Sequence, residues 1–169
     1  MARHTTSLPD IPLTTIDARR TTFAEYAGNV VLVVNVASKC GHTPQYAALE
    51  QLQKTYSSRG FTVLGFPCNQ FMMQESGSAE SIAEFCNTTY AVDFPLFEKT
   101  RVNGRSQHPL YEQLTRMPDA NGAAGRVKWN FEKFLIAPSG EMHRSRSAVK
   151  PGAPEVVQSI EAALSQHGR

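Results

Sequence analysis

The chain has 169 residues, of which 41% are hydrophobic and 19% are charged, as in an ordinary globular protein with a full core. Its formal net charge is +2 and the charges are interspersed, so nucleic-acid binding is not indicated. No apolar run approaches the length of a membrane span, and the first residues lack the apolar segment of a secretory signal. We therefore expect a single domain over residues 1–169, cytoplasmic and without stable membrane association.

The three cysteines, Cys40, Cys68 and Cys86, are an odd number spread far apart, which does not predict a disulfide framework. The sequence has no Cys-x-x-Cys pair and no Cys/His cluster at zinc spacing, so neither a metal site nor a cofactor is predicted. The cysteines are therefore either inert thiols or parts of a redox system.

The chain before residue 30 is predicted to be extended and rich in turns. Prolines exclude a helix over residues 8–12, and residues 17–20 have the pattern of a hairpin turn. From Val30 to Ala37 the residues are apolar except for Asn35, and the apolar positions do not alternate with polar ones. This pattern predicts a strand that helices cover on both faces.

Cys40 lies between this strand and a predicted helix. Thr43 is the expected N-cap, Pro44 the first helical residue, and apolar positions recur at three- and four-residue steps until Gly60. The partial positive charge of a helix N-terminus, with Lys39 adjacent, favours a thiolate at Cys40. The alternative is that Cys40 is simply a small buried apolar side chain.

The rest of the chain completes an α/β pattern. The predicted elements are a second strand over residues 61–67, an irregular loop over 68–77, a helix capped by Ser78, an extended segment over 92–97, a short helix over 109–116, a loop over 118–126, a third strand over 131–137, an antiparallel edge over 141–147 and a last helix from Pro154. This order predicts a three-layer α/β/α domain of the thioredoxin fold with a central mixed sheet.

Three polar side chains in otherwise apolar settings could assist a thiolate that reduces a peroxide. Such a thiolate attacks one oxygen while the other leaves, so it needs hydrogen-bond donors rather than a strong base. Gln74, in the loop after the second strand, and Trp129 with Asn130, before the third, carry amide and indole N–H groups of this kind. By itself Trp129 would be a core aromatic residue.

Three sequence strings resemble the glutathione peroxidase family: NVASKCG at residues 35–41, FPCNQF at 66–71 and WNFEKFL at 129–135. The resemblance implies a thioredoxin fold and the reduction of hydrogen peroxide and of organic or lipid hydroperoxides. It also implies that Cys40 is the peroxidatic residue and that Gln74, Trp129 and Asn130 are its hydrogen-bond donors.

Two further features resemble the thioredoxin-dependent members of bacteria and fungi. Cys86, in the string EFCNTTYAVDFP, resembles their resolving cysteine, although its helical periodicity alone favours a core thiol. The stretch between Arg116 and Trp129 lacks the longer loop through which tetrameric members associate, which implies a monomer. The implied cycle forms a Cys40 sulfenic acid and then a Cys40–Cys86 disulfide that thioredoxin reduces.

This cycle has two alternatives: a single-cysteine peroxidase that uses glutathione, and a redox sensor or relay that passes the oxidation of Cys40 to a client protein. If Cys86 starts on a helix that faces the core, the helix must partly unwind before the disulfide forms. We therefore expect separate thiols in the reduced protein and a mobile segment around residues 76–92.

The loop that carries Gln74 departs from the family pattern. The family usually reads GGQEPG there, whereas residues 72–77 read MMQESG, which offers two methionines as an apolar wall for bulky hydroperoxides.

Other side chains near the motifs have plainer interpretations. Cys68 is expected to pack in the core and His42 to be exposed. Lys39, Lys128 and Lys133 either attract an acidic reductant or are merely solvated.

Overall fold

The structure is a computed structural model that describes residues 7–167. Within this range the chain forms six strands and four α-helices. Their bounds are β1 (Pro12–Thr14), β2 (Arg20–Thr22), β3 (Val30–Val36), α1 (Gln45–Tyr56), β4 (Phe61–Pro67), α2 (Ala79–Tyr90), α3 (Pro109–Leu114), β5 (Lys133–Ile136), β6 (Met142–Ser145) and α4 (Pro154–His167). No helix in residues 7–167 is both long and apolar enough to cross a membrane.

The central sheet has the strand order β4-β3-β5-β6 and is mixed, as predicted. β3 and β4 are parallel, with Val30 opposite Phe61 and Val36 opposite Pro67. β5 is antiparallel to both β3 and β6. β1 and β2 form a separate antiparallel hairpin around the predicted turn.

Two apolar clusters cover the two faces of this sheet, which is why β3 lacks polar alternation. On one face Val30, Leu32, Val34 and Val36 pack with buried residues of α1, α2 and α4. On the other face Val31 and Val33 pack with buried residues of α3 and of the β1–β2 hairpin. The chain is therefore layered about one sheet, as predicted.

The beginning of the chain differs in one detail from the expectation. Leu8–Asp10 forms one turn of 3-10 helix, where only extended backbone was predicted. Pro9 lies at the start of this turn, where its missing N–H removes no helical hydrogen bond.

The N-terminus of α1 also differs. The helix begins at Gln45, and Thr43 does not cap it. The Thr43 hydroxyl instead accepts a hydrogen bond from the Cys40 backbone N–H at 2.9 Å and donates to the Ala37 carbonyl at 2.8 Å. A residue typical of helix caps therefore fastens the turn that precedes the helix.

β5 begins at Lys133, two residues later than predicted. Phe131 has a φ of 62°, in the left-handed region, which a β-strand cannot accommodate. The chain therefore bends sharply just before the strand.

Helix α2 follows the prediction closely. Ser78 caps it by accepting a hydrogen bond from the Ser81 backbone N–H at 3.2 Å. Ile82 and Cys86 are buried on its inner face, and Phe85 and Tyr90 pack beside them.

Candidate active site

One end of the sheet collects three chain segments that are far apart in sequence. β3 and β4 are parallel, so their carboxyl ends lie at the same edge. β5 is antiparallel to β3 and starts with Lys133 opposite Val34, so its amino end lies there too. The turn with Cys40, the loop with Gln74 and the segment with Trp129 and Asn130 therefore meet at this end.

A hydrogen bond to its sulfur holds Cys40 within the turn that follows β3. The Cys40 side chain is almost buried, with the residue 7% exposed. Its Sγ accepts a hydrogen bond from the His42 backbone N–H at 3.3 Å. A backbone donor aimed at sulfur stabilises negative charge there, which is what a peroxidatic thiolate needs.

The loop after β4 places Gln74 beside this turn. The Gln74 carbonyl accepts a hydrogen bond from the backbone N–H of Lys39, the residue before Cys40, at 3.1 Å. The Asn69 side chain accepts a hydrogen bond from the Glu75 backbone N–H at 3.0 Å and fixes the other side of the loop.

Asn130 joins Gln74 directly. Asn130 is fully buried, and its Nδ2 donates to Gln74 Oε1 at 2.9 Å. Trp129 is half-buried and packs against Phe71, with ring centroids 5.7 Å apart. Two of the three expected donors, Gln74 and Asn130, are therefore bonded to each other, and Trp129 directly precedes Asn130 in the chain.

Asn35 is a further member of this arrangement that sequence reasoning did not single out. It is fully buried in β3, its Nδ2 donates to the Trp129 carbonyl at 3.0 Å, and its carbonyl accepts from the Phe131 N–H at 2.6 Å. These bonds hold the backbone on both sides of Asn130. The available signal was an amide side chain in an otherwise apolar buried strand.

Cys86 lies in α2 with 1% exposure, and it is not bonded to Cys40. Burial raises the pKa of its thiol from 9.0 to about 11, although the Tyr46 hydroxyl acts in the opposite direction. Cys40 and Cys86 belong to the cluster on the same face of the sheet. Cys86 is therefore a protonated core thiol on the Cys40 side.

Cys68 belongs to the cluster on the opposite face of the sheet. It is fully buried, and burial raises the pKa of its thiol. This environment agrees with the packing role predicted for it.

The three lysines have different environments. Lys39 and Lys128 are exposed, whereas Lys133 is 1% exposed and neither solvated nor accessible to a protein partner. Both interpretations offered for Lys133 were therefore wrong. The prediction for His42 was also wrong, because His42 is half-buried rather than exposed.

Met72 and Met73 are strongly exposed, at 79% and 69%, and their φ angles of 53° and 54° are left-handed. Such a conformation costs a side-chain-bearing residue about 1–2 kcal/mol relative to the right-handed region, and glycine avoids that cost. The methionines therefore keep a backbone geometry that suits the glycine pair of the family pattern.

Across residues 7–167, no group of three or more His, Cys, Asp or Glu side chains is placed to hold a metal ion.

Comparisons with known proteins identify the family of this chain. A sequence model described as glutathione peroxidase matches residues 9–115. The thioredoxin/glutathione peroxidase BtuE of Escherichia coli is 46% identical over 171 residues, covering 89% of this chain and 93% of the relative. The glutathione peroxidase-like peroxiredoxin HYR1 of Saccharomyces cerevisiae is 47% identical over 145 residues, covering 85% and 88%.

Solved structures agree on the fold. The crystal structure of Trgpx in apo form has a TM-score of 0.74 and 38% identity, covering 95% of this chain and 97% of that chain. A thioredoxin-family thiol:disulfide interchange protein from Chlorobium tepidum has a TM-score of 0.62 at 21% identity, covering 97% and 99%, and supports the thioredoxin fold alone. The family model matches more than half of the chain, and the two relatives are 46% and 47% identical to it in sequence. This protein is therefore a peroxidase that belongs to the glutathione peroxidase family.

Proposed function

We propose that the protein reduces hydroperoxides with Cys40 as the peroxidatic thiolate, and that thioredoxin recycles it through a disulfide with Cys86. The observation that carries the proposal is the hydrogen bond from Asn130 to Gln74, in a loop whose Gln74 carbonyl is bonded to the residue before Cys40. An amide pair beside a nearly buried thiol has no evident packing purpose, whereas it fits a site that stabilises charge on sulfur and oxygen.

In the first step the Cys40 thiolate attacks one oxygen of the hydroperoxide. The S–O bond forms, the O–O bond breaks, and the other oxygen leaves as hydroxide or alkoxide, which takes a proton from solvent. Cys40 is oxidised to a sulfenic acid and the hydroperoxide is reduced to water or an alcohol. Gln74, Trp129 and Asn130 supply N–H groups for the charge that moves onto oxygen.

In the second step the Cys86 sulfur attacks the sulfenic sulfur of Cys40. A disulfide forms and the sulfenic oxygen leaves as water. Thioredoxin then reduces this disulfide by thiol–disulfide exchange and becomes oxidised in turn. Because the Cys86 thiol is buried and its pKa is raised to about 11, α2 must open locally before this step.

The substrates proposed are hydrogen peroxide and organic or lipid hydroperoxides. Support comes from a relative of 45% identity in Synechocystis, covering 88% of this chain and 90% of its own length, that is called a hydroperoxy fatty acid reductase.

The decisive experiment is steady-state peroxide reduction with thioredoxin or glutathione as the only reductant. Cys40→Ser should abolish activity, whereas Cys86→Ser should stop thioredoxin-linked turnover and leave one stoichiometric oxidation. Cys68→Ala, which alters the thiol on the other face of the sheet, is the matched control and should keep turning over. Normal turnover of the Cys86 variant with thioredoxin would refute the two-cysteine cycle, and its turnover with glutathione would establish the single-cysteine alternative.

A redox relay shares the first step and differs in what receives the oxidation. Trapping mixed disulfides of Cys40 separates the two functions, since a relay yields a client protein as the trapped partner whereas the proposed cycle yields thioredoxin.

We further propose a monomer that works in the cytoplasm. The short segment between Arg116 and Trp129 favours a monomer, and a thioredoxin-recycled thiol needs a reducing compartment. Sedimentation velocity and cell fractionation test the two statements, and an oligomer or a secreted protein would overturn them.

A further inference from the structure

The buried Lys133 links two parts of the candidate site: the segment that carries Trp129 and Asn130, and the turn that carries Cys40. The Lys133 Nζ donates to the Phe131 carbonyl at 2.5 Å, to Gln45 Oε1 at 3.0 Å and to the Ser147 carbonyl at 3.4 Å. All three acceptors are neutral. An ammonium group buried without a bonded carboxylate is unfavourable for folding, and the next residues of β5 are all apolar, so an apolar residue here would suit the strand better.

The first bond of Lys133 holds the segment that carries Trp129 and Asn130. Phe131 directly follows Asn130 and has a left-handed φ of 62°. Its N–H is held by Asn35 and its carbonyl by Lys133. A residue with a strained backbone persists only when its surroundings fix it. The two bonds therefore fix the bend at Phe131 and, with it, the direction of Asn130 relative to β5.

The second bond of Lys133 holds the turn that carries Cys40. Gln45 is the first residue of α1, and its N–H donates to the His42 carbonyl at 2.8 Å. The Gln45 Nε2 lies 3.5 Å from His42 Nδ1, and the His42 N–H donates to Cys40 Sγ. A chain of contacts therefore runs from Lys133 through Gln45 and His42 to the sulfur.

We propose that Lys133 is a positioning residue that locks the cysteine turn and the Trp129–Asn130 segment in register with each other. The inference rests on the proposed role of Cys40 as the peroxidatic thiol. It gives Lys133 two functions: it orients the donors through Phe131, and in its protonated form it adds positive charge to the network that ends at sulfur.

The nearby arginines are paired with Glu132, so we assign the positive charge of this network to Lys133. Burial lowers the pKa of Lys133 to about 7, and Glu132 opposes that shift. Glu132 itself is paired with Arg144 and Arg146 of the antiparallel edge. From the turn before α1, His42 is the titratable group that faces this network.

The test is the rate constant for the first oxidation of Cys40 by hydrogen peroxide, measured by stopped flow against pH. Lys133→Met should lower this rate constant about tenfold or more and raise the pH at which it is half-maximal, because the variant lacks the positive charge that Lys133 carries below its pKa of about 7. Lys54→Met removes an exposed lysine from α1 and should leave both quantities unchanged.

Gln45→Ala breaks the branch toward Cys40, together with the bond from Gln45 Nε2 to the Ser147 carbonyl at 2.8 Å, and should slow the oxidation severalfold. If the two residues act through one another, the double variant should be no slower than Lys133→Met alone. The inference is overturned if the effects of the two substitutions on the rate constant are additive. It is also overturned if Lys133→Met keeps the wild-type pH midpoint or the wild-type rate constant. If Lys133→Met does not fold, Gln45→Ala decides it, and a wild-type rate in that variant overturns it. A wild-type protein that is not oxidised at Cys40 overturns the proposed function instead.

Discussion

Met72 and Met73 depart from the family sequence pattern at two positions whose backbone conformation favours glycine. Both are exposed and left-handed, so the chain keeps a glycine-like loop beside Gln74 while it carries two long apolar side chains. Methionine is flexible and polarisable, and it adapts to apolar ligands of different shapes. The cost of the left-handed backbone at Met72 and Met73 is therefore offset if these side chains contact the organic part of a hydroperoxide during binding.

Replacing both methionines with glycine tests this use. We expect the double variant to lose several-fold in kcat/KM with cumene hydroperoxide while its kcat/KM with hydrogen peroxide stays the same, because only the bulky substrate reaches an apolar wall. An unchanged ratio between the two substrates would remove the hypothesis.

Among the secondary-structure elements, α2 has two tasks that conflict. It buries Cys86 in the core, and in the proposed cycle it must release Cys86 to Cys40 after oxidation. A disulfide needs Cα atoms closer than about 7 Å and a specific sulfur geometry. The mobility expected around residues 76–92 stays a prediction.

The cap of α2 offers a way to measure the opening. Ser78→Ala removes the bond to the Ser81 N–H and should destabilise the first turn by about 1 kcal/mol. If local unwinding limits the second step, Cys40–Cys86 disulfide formation after one equivalent of peroxide should become up to about fivefold faster. Ser159→Ala on α4 is the control, and an equal or slower rate in Ser78→Ala would mean that unwinding does not limit the step.

Strand β6, at the edge of the sheet, carries a buried arginine with a structural role. Arg144 is buried, pairs with the fully buried Glu132, and donates to the carbonyls of Met117 at 2.9 Å and Gly125 at 2.8 Å. A buried arginine at the edge of the sheet therefore fixes the loop that leads to Trp129.

Breaking this buried pair should be costly. Arg144→Met leaves the Glu132 carboxylate without one buried partner, and we expect a loss of about 3–5 kcal/mol in the free energy of unfolding by urea. Arg59→Met removes the exposed pair with Glu161 and should cost no more than about 1 kcal/mol. Equal effects of the two variants would refute the structural role of Arg144.

For the whole molecule, Lys133 makes stability depend on pH. Its folded pKa of about 7 lies below the ordinary value of 10.5, so between these values the unfolded chain binds more protons and stability rises with pH. Cys86 acts oppositely above pH 9.0, because the folded thiol stays protonated until about pH 11 while the unfolded thiol ionises. The effect of Lys133 is therefore best isolated between pH 7 and 9.

The measurement is urea unfolding of the wild type and of Lys133→Met across that window. The wild type should gain about 1 kcal/mol per pH unit relative to the variant. Because every other titrating group is common to both proteins, parallel stability curves would contradict the folded pKa assigned to Lys133.

Sequence patterns predicted most of the fold because they are local. The apolar run of β3, the cap of α2 and the turn before β2 each depend on neighbouring residues, and each was found where expected. Gln74, Trp129 and Asn130 were predicted as donors from their N–H groups in apolar settings and from motif resemblance. Asn35, Lys133 and Arg144 were not recognised, since their roles depend on partners that only tertiary structure brings together.

The sheet order has a consequence for how the protein is made. Cys40 and Gln74 lie in the amino-terminal half, whereas Trp129 and Asn130 arrive with β5, which pairs with β3 across a long separation in sequence. Pairing between distant segments is slow, because a long loop must close first. If Trp129 and Asn130 act as proposed, the thiol exists for a time during synthesis without its full set of donors, and we expect the nascent chain to acquire its full peroxide reactivity only when β5 docks. Recovery of that reactivity during refolding is consequently a direct kinetic signal for the docking of β5.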